Sequence, residues 1–348
     1  MPTVMSLSVV RFVRAMVCTW LGAAAIGLAP AHAERHDLPK PRVWPAVPGI
    51  IDAFKDHRLV AVGEVHRNQQ VHDLLVALVR NPAFLPGGGD VVVEWGNARY
   101  QGVMDRYVTG ERVSREELLP VWRETVNILV WDAPVYERLF AAIRDVNERR
   151  PSGRRLRVLL ADPPIDWAAI LDRPSWERLA ATRDLHAVDV VEREVLARGH
   201  QALLIFGSGH VVRERAFGKP SRPREPNLAA ILDSRHSGET LFVLADWMTP
   251  QLDRRLARWR APALALLPGT WLGDMSVGPP TPRLEDLADA FLYLGPASSL
   301  TTSMPRPEIY CDTVYFRELL RRDAIQGGAN AAELQRLEVK CRAGATKS

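Results

Sequence analysis

The sequence predicts an α/β fold, a largely parallel central sheet flanked by helices with a helical cap insertion. Three observations predict it. Short aliphatic runs at 59–63, 90–95, 156–161, 201–206, 240–245, 263–267 and 290–294 recur along the chain. Between the first four lie segments whose apolar residues follow the helical period, so strand and helix alternate as in βα units. The length, 348 residues, supplies ample material for one large domain with a buried core.

Taken in order, the first 33 residues stand apart. Arg11 and Arg14 precede an apolar, Ala-rich run at 15–28 that ends at Ala31-His32-Ala33, the pattern of a secretory signal peptide with an A-x-A cleavage site. The run is shorter than the roughly 20 residues a spanning helix needs, and no later segment is longer. The expected mature chain begins near Glu34, is exported to the periplasm or beyond, and has no transmembrane segment. Cys18 lies in the run without the small residues that precede a lipid-attachment site. Removing Arg11 and Arg14, with no acid lost, lowers the formal charge from +4 to +2. The remaining basic residues alternate with acids, as in Arg115-Glu116-Glu117, so a nucleic-acid partner is not expected and a small-molecule or peptide substrate is. Two cysteines then remain, Cys311 and Cys341, and an oxidising compartment predicts a disulfide between them.

A Pro-rich arm at 34–49, extended over the surface, leads to a short helix at 50–55, and residues 50–345 form a single domain. Strand 59–63 is followed by a helix at 68–80 and strand 90–95. Helices at 97–109, 114–127 and 133–149 form a block between two strands, predicted as a cap beside the carboxyl edge of the sheet. Strand 156–161 starts after the turn-forming Pro151-Ser152-Gly153 and stops at Asp162-Pro163-Pro164, where no helix can continue directly. A helix at 175–198, strand 201–206, a Pro- and Arg-rich loop at 218–226 and strands 240–245 and 263–267 follow. Gly- and Pro-rich sequence at 268–282, strand 290–294 and helices at 312–324 and 330–340 close the chain.

Chemistry concentrates at strand ends. Gly63-Glu64-Val65-His66 and Gly207-Ser208-Gly209-His210 are both Gly-x-x-His tetrapeptides that close an apolar strand. In a parallel sheet Glu64, His66, Glu94, Asp162 and His210 would share the carboxyl edge, where ligands sit in open α/β sheets. Glu94 directly follows Val91–Val93, and an acid after a buried strand calls for a purpose. His72 joins from the first turn of the next helix. Six positions on a helix is about 240° round its axis, so His66 and His72 converge only if His66 lies on the loop. Such a group suits a metal site, with His66 and His210 as ligands and Glu64, His72 and Asp162 as further candidates. It equally suits acid–base hydrolysis by Glu64, His66, Glu94 and His210. Arg99, Gln101, Trp131 and Tyr136, with Tyr100 and Asp132 beside them, are the candidate substrate-binding residues of the insertion. A single histidine at a strand end is commonly structural; two in matched settings argue for function. There is no Gly-x-Ser-x-Gly elbow, Walker-type loop or dinucleotide fingerprint.

Together these motifs, Gly63-Glu64-Val65-His66 with His72, Glu94 with Gln101 seven residues on, Trp131, Tyr136 and Gly207-Ser208-Gly209-His210, resemble the ChaN-like branch of the TIKI/erythromycin-esterase superfamily. The resemblance covers roughly residues 50–245. It implies an α/β fold with an active cleft at the carboxyl edge of the sheet, lined by the Gly-Glu-x-His residues, the second acid and the late histidine. TIKI-like members are metal-dependent proteases, erythromycin esterases open a lactone with an activated water, and ChaN-like proteins are associated with haem or iron uptake. Two expectations result. The first is an exported hydrolase acting on an ester, lactone or amide, with a divalent metal as an optional partner of the water. The alternative is a haem- or iron-complex-binding uptake protein with Tyr100, Tyr136 or a histidine as axial ligand.

Overall fold

The computed structural model describes residues 38–213, 226–245, 247–276 and 282–345. The expected signal peptide and nearly all of the Pro- and Arg-rich loop lie outside the described residues. Each predicted strand forms, and one more joins them: β1 (Val43–Pro45), β2 (Leu59–Glu64), β3 (Gly89–Asn97), β4 (Leu156–Asp162), β5 (Ala202–Gly207), β6 (Thr240–Ala245), β7 (Ala263–Leu266) and β8 (Ala290–Tyr293). They make one sheet in the order β1-β7-β8-β6-β2-β5-β3-β4. Antiparallel pairing is confined to β1 with β7 and β7 with β8; the other pairs are parallel. From β2 the chain moves out to β3 and β4, returns to β5 between β2 and β3, then crosses to β6 on the far side of β2. The winding therefore reverses around β2 and β5, the kind of place where open α/β sheets bind ligands.

Strand pleating sorts the core into two layers. Val60 and Val62 of β2, Val91 and Val93 of β3, and Leu203 and Ile205 of β5 face one layer. Leu59, Ala61, Val92 and Leu204 face the other, as a period of two requires. Helices Ala46–Ala53, Gln69–Arg80, Gln101–Val108 and Pro134–Asn147 cover the first face. Helices Arg183–Val190, Leu228–Arg235 and Pro250–Leu256 cover the second. A third, smaller cluster joins Val126, Ile128 and Trp167 to Phe316, Leu319, Leu334 and Leu337 of the tail helices, and the predicted Cys311–Cys341 bond is present.

Four features differ from the sequence reading. The arm is not wholly irregular: Val43–Pro45 pairs with β7, a sheet-edge position where proline costs no ladder bond. The helix predicted at 50–55 starts at Ala46, because Pro45 precedes it and Pro48 falls in its first turn, where a missing N–H is harmless. The helix predicted at 114–127 is two single turns, Arg115–Leu118 and Pro120–Arg123, broken where Pro120 supplies no amide. The helix predicted at 175–198 breaks at Thr182 into Arg173–Ala181 and Arg183–Val190, followed by a π-helical turn. The insertion, moreover, is knit into the domain: Pro134–Asn147 packs beside Gln69–Arg80 in the first core layer.

Candidate functional site

Glu64 ends β2 and Gly207 ends β5, in direct register. Next to β5, β3 keeps register only to Val93 and then shifts before Asn97. Glu94 therefore sits at an irregularity, a device that re-aims side chains beside functional sites. By pleat parity Glu64 lies with Val60 and Val62 toward the first face, and Glu94 lies with Val92 toward the second. Two half-sites result, meeting over Gly207.

The first half is built on Glu64, which is only 2% exposed. Its Oε1 lies 2.8 Å from His66 Nδ1 and its Oε2 lies 3.1 Å from His72 Nε2. Burial pushes the Glu64 pKa up, but the two imidazole hydrogen bonds outweigh it and hold the carboxyl below its ordinary value. An ionised Glu64 accepts from both rings, which fixes the proton of His66 on Nδ1 and leaves its Nε2 basic. His72 is fully buried; its ring lies against Trp95 and Tyr136, so it braces Glu64 and does not meet substrate. His66 is reachable, its side chain 34% exposed, with Trp131 edge-on to it at 4.6 Å.

The second half is a charged network. Arg183 Nη2 donates to Glu94 Oε1 at 2.8 Å and its Nε donates to Asp162 Oδ1 at 3.0 Å. Glu94 Oε2 accepts the Gly207 amide at 2.6 Å. His210, on the short turn Ser208–Val211 after β5, places Nδ1 2.5 Å from Asp184 and Nε2 3.4 Å from Glu94. Burial pushes the His210 pKa down, but Glu94 and Asp184 overcome it and raise it to about 10. Burial opposes the ionisation of Glu94 too, and the charges of His210 and Arg183 hold it well below the ordinary range. One guanidinium serving two carboxylates leaves Asp162 the loser: burial, set against Arg183, takes it to about 6.

The halves touch because position 207 has no side chain. A Cβ there would lie 2.7 Å from His66 Cε1, 3.1 Å from its Nε2 and 3.3 Å from Glu94 Oε2. The His66 ring thus lies over Gly207, and its Nε2 and Glu94 Oε2 border the same missing side chain. Gly63 has a related purpose: a Cβ would meet Val211 Cβ at 3.1 Å and Ser208 Cα at 3.2 Å, so its absence lets the His210 turn lie on β2. For His66 the pKa is pushed down by burial and up by the Glu64 hydrogen bond and the Glu94 charge, and it ends above the ordinary 6.5.

The structure therefore brings together Glu64, His66, Glu94 and His210, with His72 and Asp162 in support. Asp184 and Arg183 are the residues that sequence reasoning missed. A helix break at Thr182 delivers both to the sheet edge, and nothing in the sequence marks it. The metal expectation does not fit. Among the described residues no group of three or more His, Cys, Asp or Glu side chains is placed to hold an ion. His72 Nε2 is bound to Glu64, His210 Nε2 lies beside Glu94 and Asp162 holds Arg183 and the Val126 amide, so of these donors only His66 Nε2 is open.

Of the second-tier residues, Trp131 reaches the site as the wall behind His66. Tyr136 is fully buried and its hydroxyl accepts the Arg67 amide at 2.9 Å, while the Tyr100 hydroxyl is bound to Glu124; neither offers a free axial oxygen. Arg99 pairs with Asp166 at the surface, and Asp132 binds Arg123 and Tyr315. Gln101 is elsewhere: its Nε2 donates to Val158 O at 2.7 Å and its Oε1 accepts from Leu160 N at 2.8 Å. It serves the unpaired edge of β4 as a neighbouring strand would. A cavity of about 870 Å³ runs along that edge, lined by Gln101, Asp105, Arg155, Arg157 and His186, and includes none of the site residues.

The sequence matches no family model and no curated protein. Solved structures do align. An erythromycin esterase, EreC, captured as a His-to-Asn mutant in its open conformation, is 11% identical, with 72% of this chain and 93% of that chain covered and a TM-score of 0.51. A succinoglycan biosynthesis protein is 9% identical, with 75% and 92% covered and a TM-score of 0.50. A haem-bound ChaN of Campylobacter jejuni, 14% identical with 70% and 90% covered, aligns at 0.39, too loosely to bear on the argument. The likeness to the erythromycin esterase shows a shared fold, an α/β sheet flanked by helices as the motifs implied.

Proposed function

We propose that this chain is an exported hydrolase that activates water at His66 to cleave an ester, lactone or amide. The observation that carries the proposal is the His66 ring: Nδ1 is held by buried Glu64 at 2.8 Å, while Nε2 is left basic on a side chain that is 34% exposed and lies over Gly207. An orienting carboxylate on one nitrogen and a free lone pair on the other is how an imidazole serves as general base. A water oxygen attacks the carbonyl carbon as its proton passes to His66 Nε2, and the same nitrogen returns that proton to the leaving oxygen or nitrogen as the tetrahedral intermediate collapses. Glu94 faces the protonated His66 and stabilises it. Protonated His210 and Arg183 keep Glu94 ionised. The likeness to an erythromycin esterase supports this choice of reaction by analogy of fold. Export rests on the N-terminal segment and fits the Cys311–Cys341 bond.

The test is hydrolysis of a panel of esters, lactones and amides by the purified mature protein and its His66→Ala variant. Loss of a general base lowers kcat on the order of 10²–10⁴-fold. Equal turnover by wild type and variant on any substrate that is cleaved ends the proposal.

A further inference from the structure

Arg67, immediately after His66, has φ 69°. A residue with a side chain is strained in the left-handed region, and glycine is not. The conformation is nevertheless pinned from both sides. The Arg67 amide donates to Tyr136 Oη at 2.9 Å, and its carbonyl accepts from Ser303 N at 2.7 Å. The segment 301–303 runs against this loop, with Gln69 N donating to Thr301 O at 2.9 Å and Asn68 bridged to Thr302. Strain that the surroundings enforce next to a reactive group is a mark of function.

The side chain gives that strain a purpose. Arg67 is half-buried, yet among the described residues its guanidinium makes no hydrogen bond or ion pair. The other arginines near the site, Arg123 and Arg183, are each bound to carboxylates. Its charge is felt by the buried phenols of Tyr136 and Tyr310, whose pKa values burial pushes up and Arg67 pulls back. Exposed apolar side chains stand on the two segments that hold it, Val65 at 43% and Met304 at 61%. A partly desolvated cation without a partner favours an anion, and a guanidinium fork matches carboxylate or phosphate oxygens two at a time.

We propose that Arg67 selects the substrate of the His66 site, pairing with a carboxylate or phosphate group that the ester or amide carries beside the bond to be cleaved. The proposal rests on the hydrolase reading for its catalytic consequence but not for binding. The experiment has two arms. In the first, kcat/KM is measured on matched esters that are neutral, carboxylated or phosphorylated, for wild type and for Arg67→Lys, Arg67→Ala and Arg67→Gly. The glycine variant removes the strain with the charge and so guards against a folding defect. The expected result is an anionic-to-neutral preference of roughly tenfold or more in wild type, carried by KM, lost in the Ala and Gly variants and partly kept by Lys. The stronger of the two anionic arms names the group. In the second arm, binding of glutarate and phenylphosphonate is measured by calorimetry on His66→Ala and on the His66→Ala/Arg67→Gly double variant. Binding that the second substitution abolishes supports the anchor even if no ester is cleaved, whereas the hydrolase reading then falls alone. No preference in wild type, or a preference or anion affinity that survives Arg67→Gly, overturns the anchor.

Discussion

His66 and His210 each commit Nδ1 to a carboxylate, Glu64 at 2.8 Å and Asp184 at 2.5 Å, yet they differ in what remains. His66 sits in an aromatic half-site of Trp131, Trp95 and Tyr136, and its Nε2 has no hydrogen-bond partner among the described residues. His210 sits among charges, its second nitrogen 3.4 Å from Glu94. Two carboxylates within 3.4 Å raise its pKa to about 10, whereas His66, hydrogen-bonded to Glu64 alone and feeling only the charge of Glu94, is raised less and loses its proton at lower pH. The partner of the second nitrogen decides whether an imidazole is a base or a counter-ion. The matched Gly-x-x-His motifs therefore hide an unequal division of labour.

The largest test of this division concerns stability. Replacing His210 by Gln removes the cation that Glu94 and Asp184 share and leaves Glu94 to Arg183 alone; breaking a buried charge pair costs at most roughly 3–5 kcal/mol. His66→Gln removes one of two donors to Glu64 and costs about 1 kcal/mol, the worth of a hydrogen bond. The sign with pH follows from the raised His210 pKa. The stabilisation is fully present below 6.5 and is lost as pH rises from there to about 10. Denaturant unfolding at pH 6, 8 and 10 should show wild type weakening across that window and His210→Gln with a clearly smaller slope, the remainder coming from His66 and the buried tyrosines. A flat wild-type curve would remove His210 from the role of buried cation.

A smaller effect, on rate, tests the contact between the halves. Gly207→Ala places a methyl carbon where His66 Cε1 would be 2.7 Å away, so the ring must shift off position 207. We expect kcat to fall on the order of 10²-fold, as for a misplaced catalytic group, with stability changed by about 1–2 kcal/mol. Unchanged kcat in Gly207→Ala, with the ring displaced in its structure, would show that the halves work separately.

How much of this was legible differs between the halves for physical reasons. Glu64, His66 and Glu94 could be read because strand ends are local signals: an apolar run, then a polar residue in the chain immediately after it. His72 was legible as a neighbour, since the helix begins four residues past the strand. Its role as a brace was not, because burial beneath Trp95 and Tyr136 depends on packing of a helix some sixty residues away. Arg183 and Asp184 were illegible, since an adjacent basic–acidic pair in a helical stretch looks like any solvated face, and only the break at Thr182 turns it to the sheet edge. Gln101 was misread for the opposite reason. Its place near Glu94 in sequence suggested the cleft, whereas the edge of β4 needed hydrogen-bond partners and took its amide.

The smallest expected effect separates the two imidazoles most directly. Glu64→Gln keeps an acceptor for His66 Nδ1 but removes the negative charge, and with it the upward pull on the His66 pKa. A base titrating at lower pH is free at lower pH, so the rising limb of the kcat/KM profile should move to lower pH, and the plateau should drop slightly as the base weakens. Most of the stability slope between pH 6.5 and 10 comes from His210, whose partners are Glu94 and Asp184, so it should persist, less the smaller contribution of His66. If the activity limb stays fixed while Asp184→Asn shifts it, the base is His210, and the roles assigned to the two halves are exchanged.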